Sequence, residues 1–134
     1  MPETTLCSRE ALAAAVPDGA LLAIVKDSSG VAMAATRELV RRGVRNLHLL
    51  CVPISGIQAD MLIGAGCVRT LESSGVSLGE LGAAPRFVAA LKERTLRMID
   101  STCPAVFDSF LRGRTCWTSR PRSIRTVSGC RSAR

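Results

Sequence analysis

Residues able to do chemistry fall at a few isolated places in this chain. Lys26-Asp27-Ser28-Ser29-Gly30 forms a short polar stretch directly after an apolar run. A lysine, a carboxylate and two hydroxyls there are either a solvated loop tip or a contact for a nucleotide phosphate or a pantetheine arm. Glu72 follows a strand-like segment, Cys67 to Leu71, and precedes Ser73-Ser74-Gly75. A carboxylate so placed is a surface group, or a nucleophile if a pocket strips it of water. His48 is the sole histidine and lies inside a strand-like run, so it reads as a sheet histidine with its polar atoms satisfied. No serine or cysteine beside it suggests a triad. Cys7, Cys51, Cys67, Cys103, Cys116 and Cys130 occur singly, with no Cys-x-x-Cys pair. Metal sites need clustered ligands. The cysteines therefore read as buried free thiols of a reducing compartment, and no metal is expected.

The elements that must position these residues follow from apolar patterning. Ser8 is placed to cap a short helix through residue 15, and Pro17-Asp18-Gly19 marks a turn. Residues 20–25 are continuously apolar, as expected of a strand buried on both faces. Residues 31–42 carry helical spacing at Val31, Ala34, Ala35, Leu39 and Val40, and Gly43 ends the helix. The unit then repeats: strand 46–52, loop 53–56, helix 57–65, strand 67–71. A Ser/Gly-rich segment covers 73–83. Pro85 opens a helix to about residue 93, where its missing N–H costs nothing. A strand at 95–100 and a helix from Pro104 to about 111 complete the series. Glu38 and Arg42, four apart, are expected to pair on one helix face.

Alternating strands and helices at this spacing predict right-handed crossovers and a mostly parallel sheet. Ligands of such sheets lie beyond the C-terminal ends of the strands. The loops to watch are therefore 26–30, 53–56, 73–82 and 101–103. The first of them lacks Gly-x-Gly-x-x-Gly, so its backbone is poorly suited to a dinucleotide pyrophosphate, and a Walker loop is absent as well.

Charge divides the chain. Residues 1–111 carry eleven Lys+Arg and eleven Asp+Glu, whereas 112–134 carry seven arginines and no acid, so the net +7 lies in the tail. Trp117 stands there without further aromatics to stack bases, so no nucleic-acid partner is expected. No apolar run is long enough to span a bilayer, so no membrane partner is expected. The N-terminus lacks a basic start followed by an apolar block, and the protein reads as cytoplasmic. The organisation expected is an α/β domain over 1–111 and an Arg/Ser-rich irregular tail over 112–134.

Several segments in order resemble the A (alpha) subunit of type I coenzyme A transferases. They are Asp18-Gly19 through Ala32, Arg37-Glu38-Leu39-Val40-Arg41-Arg42-Gly43-Val44-Arg45-Asn46-Leu47, and Asp60-Met61-Leu62-Ile63-Gly64-Ala65-Gly66-Cys67-Val68-Arg69. Val76 to Phe87 and Cys103-Pro104-Ala105 also fit, and the resemblance covers about residues 8–108. The family's Gly-Gly-Phe loop is replaced by Val25-Lys26-Asp27. The resemblance implies a three-layer α/β/α fold with Rossmann-like crossovers, here incomplete. It implies CoA transfer between an acyl-CoA and a carboxylic acid, with a coenzyme A thioester as substrate and no bound cofactor. The partner implied is a B subunit that carries the catalytic glutamate. No nucleophile is then expected in this chain, Glu72 remaining a remote candidate, and Lys26, Asp27, Ser28, Ser29 and Gly30 form the CoA-proximal loop. Related ring-opening acyl-CoA hydrolases share the pattern. After residue 111 the family pattern stops. The Arg/Ser/Cys/Trp content there is that of GC-rich coding sequence read out of frame, so a frameshifted or truncated alpha chain, inactive in that form, is also expected.

Overall fold

A computed structural model describes residues 7–27 and 31–112. Ser28, Ser29, Gly30 and nearly all of the arginine-rich tail lie outside the described residues. The elements run α1 (Arg9–Ala14), β1 (Leu21–Ile24), α2 (Met33–Arg42), β2 (Leu47–Cys51), α3 (Gly56–Gly64), β3 (Val68–Ser73), α4 (Pro85–Lys92), β4 (Arg97–Asp100) and α5 (Cys103–Arg112). A single 3-10 turn, Gly79–Leu81, interrupts the connection from β3 to α4.

The strands pair in parallel in the order β1-β2-β3-β4. Neighbours in sequence are neighbours in the sheet, so right-handed crossovers that all step the same way keep their helices on one face. Leu22, Ile24, Leu49, Cys51 and Leu71 point to that face and share a core with Ala13, Leu39, Ala59, Leu62 and Phe87 of the helices. Leu21, Leu50 and Val52 meet Val106 of α5 in a second, smaller cluster. The sheet is thus a middle layer, with α5 on the face opposite α1–α4. The chain changes face between β4 and α5.

Local chemistry explains the boundaries. The Ser8 hydroxyl accepts from the Ala11 N–H at 3.1 Å. Gly43 takes φ 70°, and its N–H is directed to the carbonyls of Leu39 and Val40, ending α2 in a left-handed cap. Pro85 is the first residue of α4. That helix has no side-chain cap of its own. The buried Asp60 of α3 supplies one, its Oδ1 accepting from the N–H groups of Arg86 and Phe87 at 2.8 and 3.0 Å.

Several expectations need correction. β3 runs on to Ser73, so Glu72 is a strand residue and is fully buried, not a surface carboxylate after the strand. Polar residues can end a parallel strand because its C-terminal end meets loops and helix N-termini with groups to satisfy. β1 stops at Ile24 and is an edge strand, leaving Val25 63% exposed. Glu38 pairs with Arg41 at 2.9 Å. Arg42 instead donates to the carbonyl of Val16 behind α1. Cys51 and Cys67 are buried as expected, but Cys7 and Cys103 are exposed.

Candidate functional site

The C-terminal ends of the strands carry several polar residues. At the end of β1, Lys26 is exposed, while Asp27 is held from two directions. Its N–H donates to the carbonyl of Ile54 at 2.7 Å. Its Oδ2 accepts from the N–H of Ile57 at 3.2 Å. Asp27 therefore caps α3, whose own N-cap residue, Ser55, makes no side-chain cap bond. A carboxylate at this end of a helix also meets the positive end of its dipole. Gly56 makes the approach possible: it sits buried at φ 49°, and a Cβ there would overlap the Asp27 carboxylate. The joint fixes the first loop of the sheet against the second. Val25, Ile54 and Ile57, all exposed apolar side chains, flank it.

One strand further in, Cys51, Ser55 and Ser73 form a buried group, each 0% exposed. Burial pushes the Cys51 thiol up to about 11, and the hydroxyls of Ser73 and Ser55 partly offset this. The thiol is consequently protonated at neutral pH and is a poor nucleophile there. Burial also raises the Cys67 thiol, the charge of Arg45 opposing the shift. Ser73 Oγ donates to the carbonyl of Gly75 at 2.8 Å, tightening the turn after β3. Beyond it, Ser74 Oγ lies 3.5 Å from Sγ of Cys103, the first residue of α5. The Ser101 N–H donates to the carbonyl of Ser73 at 3.3 Å. At the edge where the chain changes face, Ser74 and Cys103 therefore present an exposed hydroxyl and thiol, groups that can bind and orient a carbonyl or carboxylate, over the buried Ser73 and Ser101.

The raised thiol has a thermodynamic consequence. A group whose pKa is higher folded than unfolded stabilises the fold fully below its unfolded value, and that contribution is lost as pH rises toward the folded value. Stability should therefore fall between roughly pH 9 and 11, by about 3 kcal/mol from Cys51. Other thiols titrate in the same window, and Cys67 is raised as well, so the Cys51 share is read as a difference between parent and variant. Urea unfolding across that window should show a shallower decline for Cys51→Ala; equal slopes for parent and variant would contradict the assignment.

Glu72 does not join this edge. It lies on the opposite face, opposite Leu50 in the β2–β3 register. Its Oε2 stands 3.2 Å from Nε2 of His48, with side-chain exposures of 0% and 13%. His48 is thus a sheet histidine with a carboxylate neighbour. The structure brings Asp27 to α3, leaves Lys26 in solvent, and keeps both two strands away from Glu72. Sequence reasoning missed the Asp27 cap and the Cys51–Ser55–Ser73 group. Serines ending two neighbouring strand-like segments were the only signal for the latter.

Comparison with known proteins gives two likenesses. The chain is 38% identical over 69 residues to the A chain of the 3-oxoadipate CoA-transferase of Pseudomonas knackmussii; the match takes in 52% of this chain and 24% of that one. The chain thus spans about a quarter of the curated relative it matches. A crystal structure of a variant of the AibA/AibB decarboxylase superposes with a TM-score of 0.65 at 27% identity, covering 80% of this chain and 42% of that one. No protein-family profile matches the chain. Over the matched segment the chain resembles the alpha component of a CoA-transferase, on an α/β fold of the same type as the solved neighbour.

Proposed function

We propose that this chain provides the alpha-type domain of a cytoplasmic enzyme that moves coenzyme A between an acyl-CoA and a carboxylic acid, working with a B subunit. The observation that carries this reading is the likeness to the 3-oxoadipate CoA-transferase chain. The site chemistry agrees with a division of labour between two chains. Cys51 is protonated and Glu72 is buried on the other face, so neither is presented to a thioester. The attacking carboxylate then comes from the B subunit. It displaces CoA thiolate from the acyl carbon to give a mixed anhydride. The thiolate attacks the glutamyl carbonyl, releasing the first acid and leaving a glutamyl-CoA thioester. The acceptor carboxylate then displaces the thiolate, which finally attacks the acceptor's acyl carbon and frees the glutamate. The CoA thioester is substrate, and no bound cofactor takes part.

In this reading the first loop and the hydroxyl-lined edge orient the thioester, while Val25, Ile54 and Ile57 form the corner covered by the B subunit. Exposed apolar side chains gathered at a fixed joint are what a partner buries. The likeness to a decarboxylase gives a second reading, in which the same scaffold serves loss of carbon dioxide. Mixing this chain with a B subunit, an acyl-CoA and a free acid separates these reactions by product. A new acyl-CoA marks transfer, free CoA marks hydrolysis, and carbon dioxide marks decarboxylation.

A further inference from the structure

α1, β1 and α2 border a partly open cavity of about 310 Å3 that lies between the sheet and the helices and reaches the end of β1 at Ile24 and Val25. Leu12, Val16, Leu22 and Leu39 supply much of its wall; among the described residues, Thr36 and Gln58 are its polar side chains and no charged residue lines it. Gln58 is 2% exposed. The Thr36 hydroxyl donates to the carbonyl of Ala32 at 3.0 Å and lies 3.4 Å from Gln58 Oε1. Gln58 Nε2 has no hydrogen-bond partner among the described residues. A hydroxyl has one proton, and the shorter contact to Ala32 takes it. Whichever way the amide is turned, one of its polar groups is left over in an apolar cavity. Buried polar groups are ordinarily paired, and an exception calls for an explanation.

We propose that this cavity binds a short, unbranched aliphatic amide, with its chain along the leucines and its amide against Gln58. The volume is at the small end of the range for ligand pockets, which limits the chain to a short one. An amide carries a donor and an acceptor side by side, so it pairs with Gln58 in either orientation of that side chain. A carboxylate or ammonium is disfavoured, because no described residue of the wall carries a counter-charge and burying an unpaired charge is costly. A purely apolar guest leaves Gln58 unpaired. The cavity shares Val25 with the corner assigned above to the B subunit, but Gln58 and the leucines belong to this chain, so its binding is read without a partner chain.

Hexanamide titrated into the full chain, followed by methyl NMR, tests it. Saturable shifts of the Leu22 and Leu39 methyls are expected, and hexanoate should bind at least tenfold more weakly. Gln58→Leu should weaken hexanamide at least tenfold and should not weaken an apolar guest, toluene, which no longer strands a polar group. Ala35→Leu, which fills the cavity and keeps Gln58, should abolish binding of both. Absence of saturable shifts overturns the proposal. So does hexanoate binding as tightly as hexanamide, undiminished hexanamide binding in Gln58→Leu, or undiminished binding in Ala35→Leu. Should Gln58→Leu fail to fold, the hexanamide–hexanoate comparison on the parent chain decides alone.

Discussion

Gly56→Ala is expected to destabilise the fold by about 2–4 kcal/mol, far more than a helix-start glycine replacement ordinarily would. Two effects combine. Gly56 holds a left-handed backbone at φ 49°, which costs an L-residue about 1–2 kcal/mol. Its new Cβ would also displace the Asp27 carboxylate from the Ile57 N–H, and losing such a cap costs roughly 0.5–2 kcal/mol. The two positions must therefore be coupled. Asp27→Ala alone should lose only the cap. In the Asp27→Ala background, Gly56→Ala should cost little beyond backbone strain, giving a coupling energy of about 1 kcal/mol in a double-mutant cycle. Thermal unfolding of the four proteins reads this directly, at roughly 4–8 °C per kcal/mol for a domain of this size. Strictly additive effects would mean that Asp27 does not bind α3 through the space that Gly56 leaves.

The second large effect is expected at Glu72. Its carboxylate is fully buried, and the imidazole of His48 stands 3.2 Å away. Glu72→Ala removes one partner, opens a cavity between the sheet and α5, and leaves buried His48 Nε2 without its carboxylate. Stranding a buried polar group typically costs about 1–3 kcal/mol, and the cavity adds to that. That is a large part of the roughly 5–15 kcal/mol available to a small domain. Glu72→Gln keeps the volume and a polar group, and should cost clearly less. Replacing both members by apolar residues, His48→Leu with Glu72→Met, should recover most of the loss, because no polar group is then stranded. Urea unfolding measures all three. A Glu72→Ala variant within about 1 kcal/mol of the parent would show that the sheet does not depend on this carboxylate.

Most of the architecture is legible in the sequence because its punctuation is local. Ser8, Gly43 and Pro85 act within one turn of themselves, and the apolar runs of β1 and β2 mark strands without reference to anything distant. Local pattern fails where a residue's role is set by a partner far along the chain. Asp27 resembles any polar loop residue until Ile57, thirty positions later, is seen to donate to it. Asp60 likewise looks like a surface residue of α3, yet it caps α4. Glu72 looks like the residue after a strand because the strand-like segment stops at Leu71. Its burial comes from α5 packing across that face, which no local pattern announces. Cys7 and Cys103 depart from expectation for a related reason: thiol burial is a property of position, and Cys103 opens a helix at the exposed edge. The loop residues Ser28, Ser29 and Gly30 lie outside the described residues, so their part in the site rests on the resemblance.

Thioester exchange tests most directly whether this chain is the alpha-type half of a two-chain CoA-transferring enzyme. The full chain, a B subunit, and an equimolar mixture of the two are each supplied with an acyl-CoA and a free carboxylic acid, and the thioesters are separated. A new acyl-CoA is expected in the mixture and in neither component alone, with Glu72→Gln retaining the activity of the parent mixture. A mixture that forms a stable complex yet exchanges no thioester, or exchange by this chain without any B subunit, would contradict that assignment.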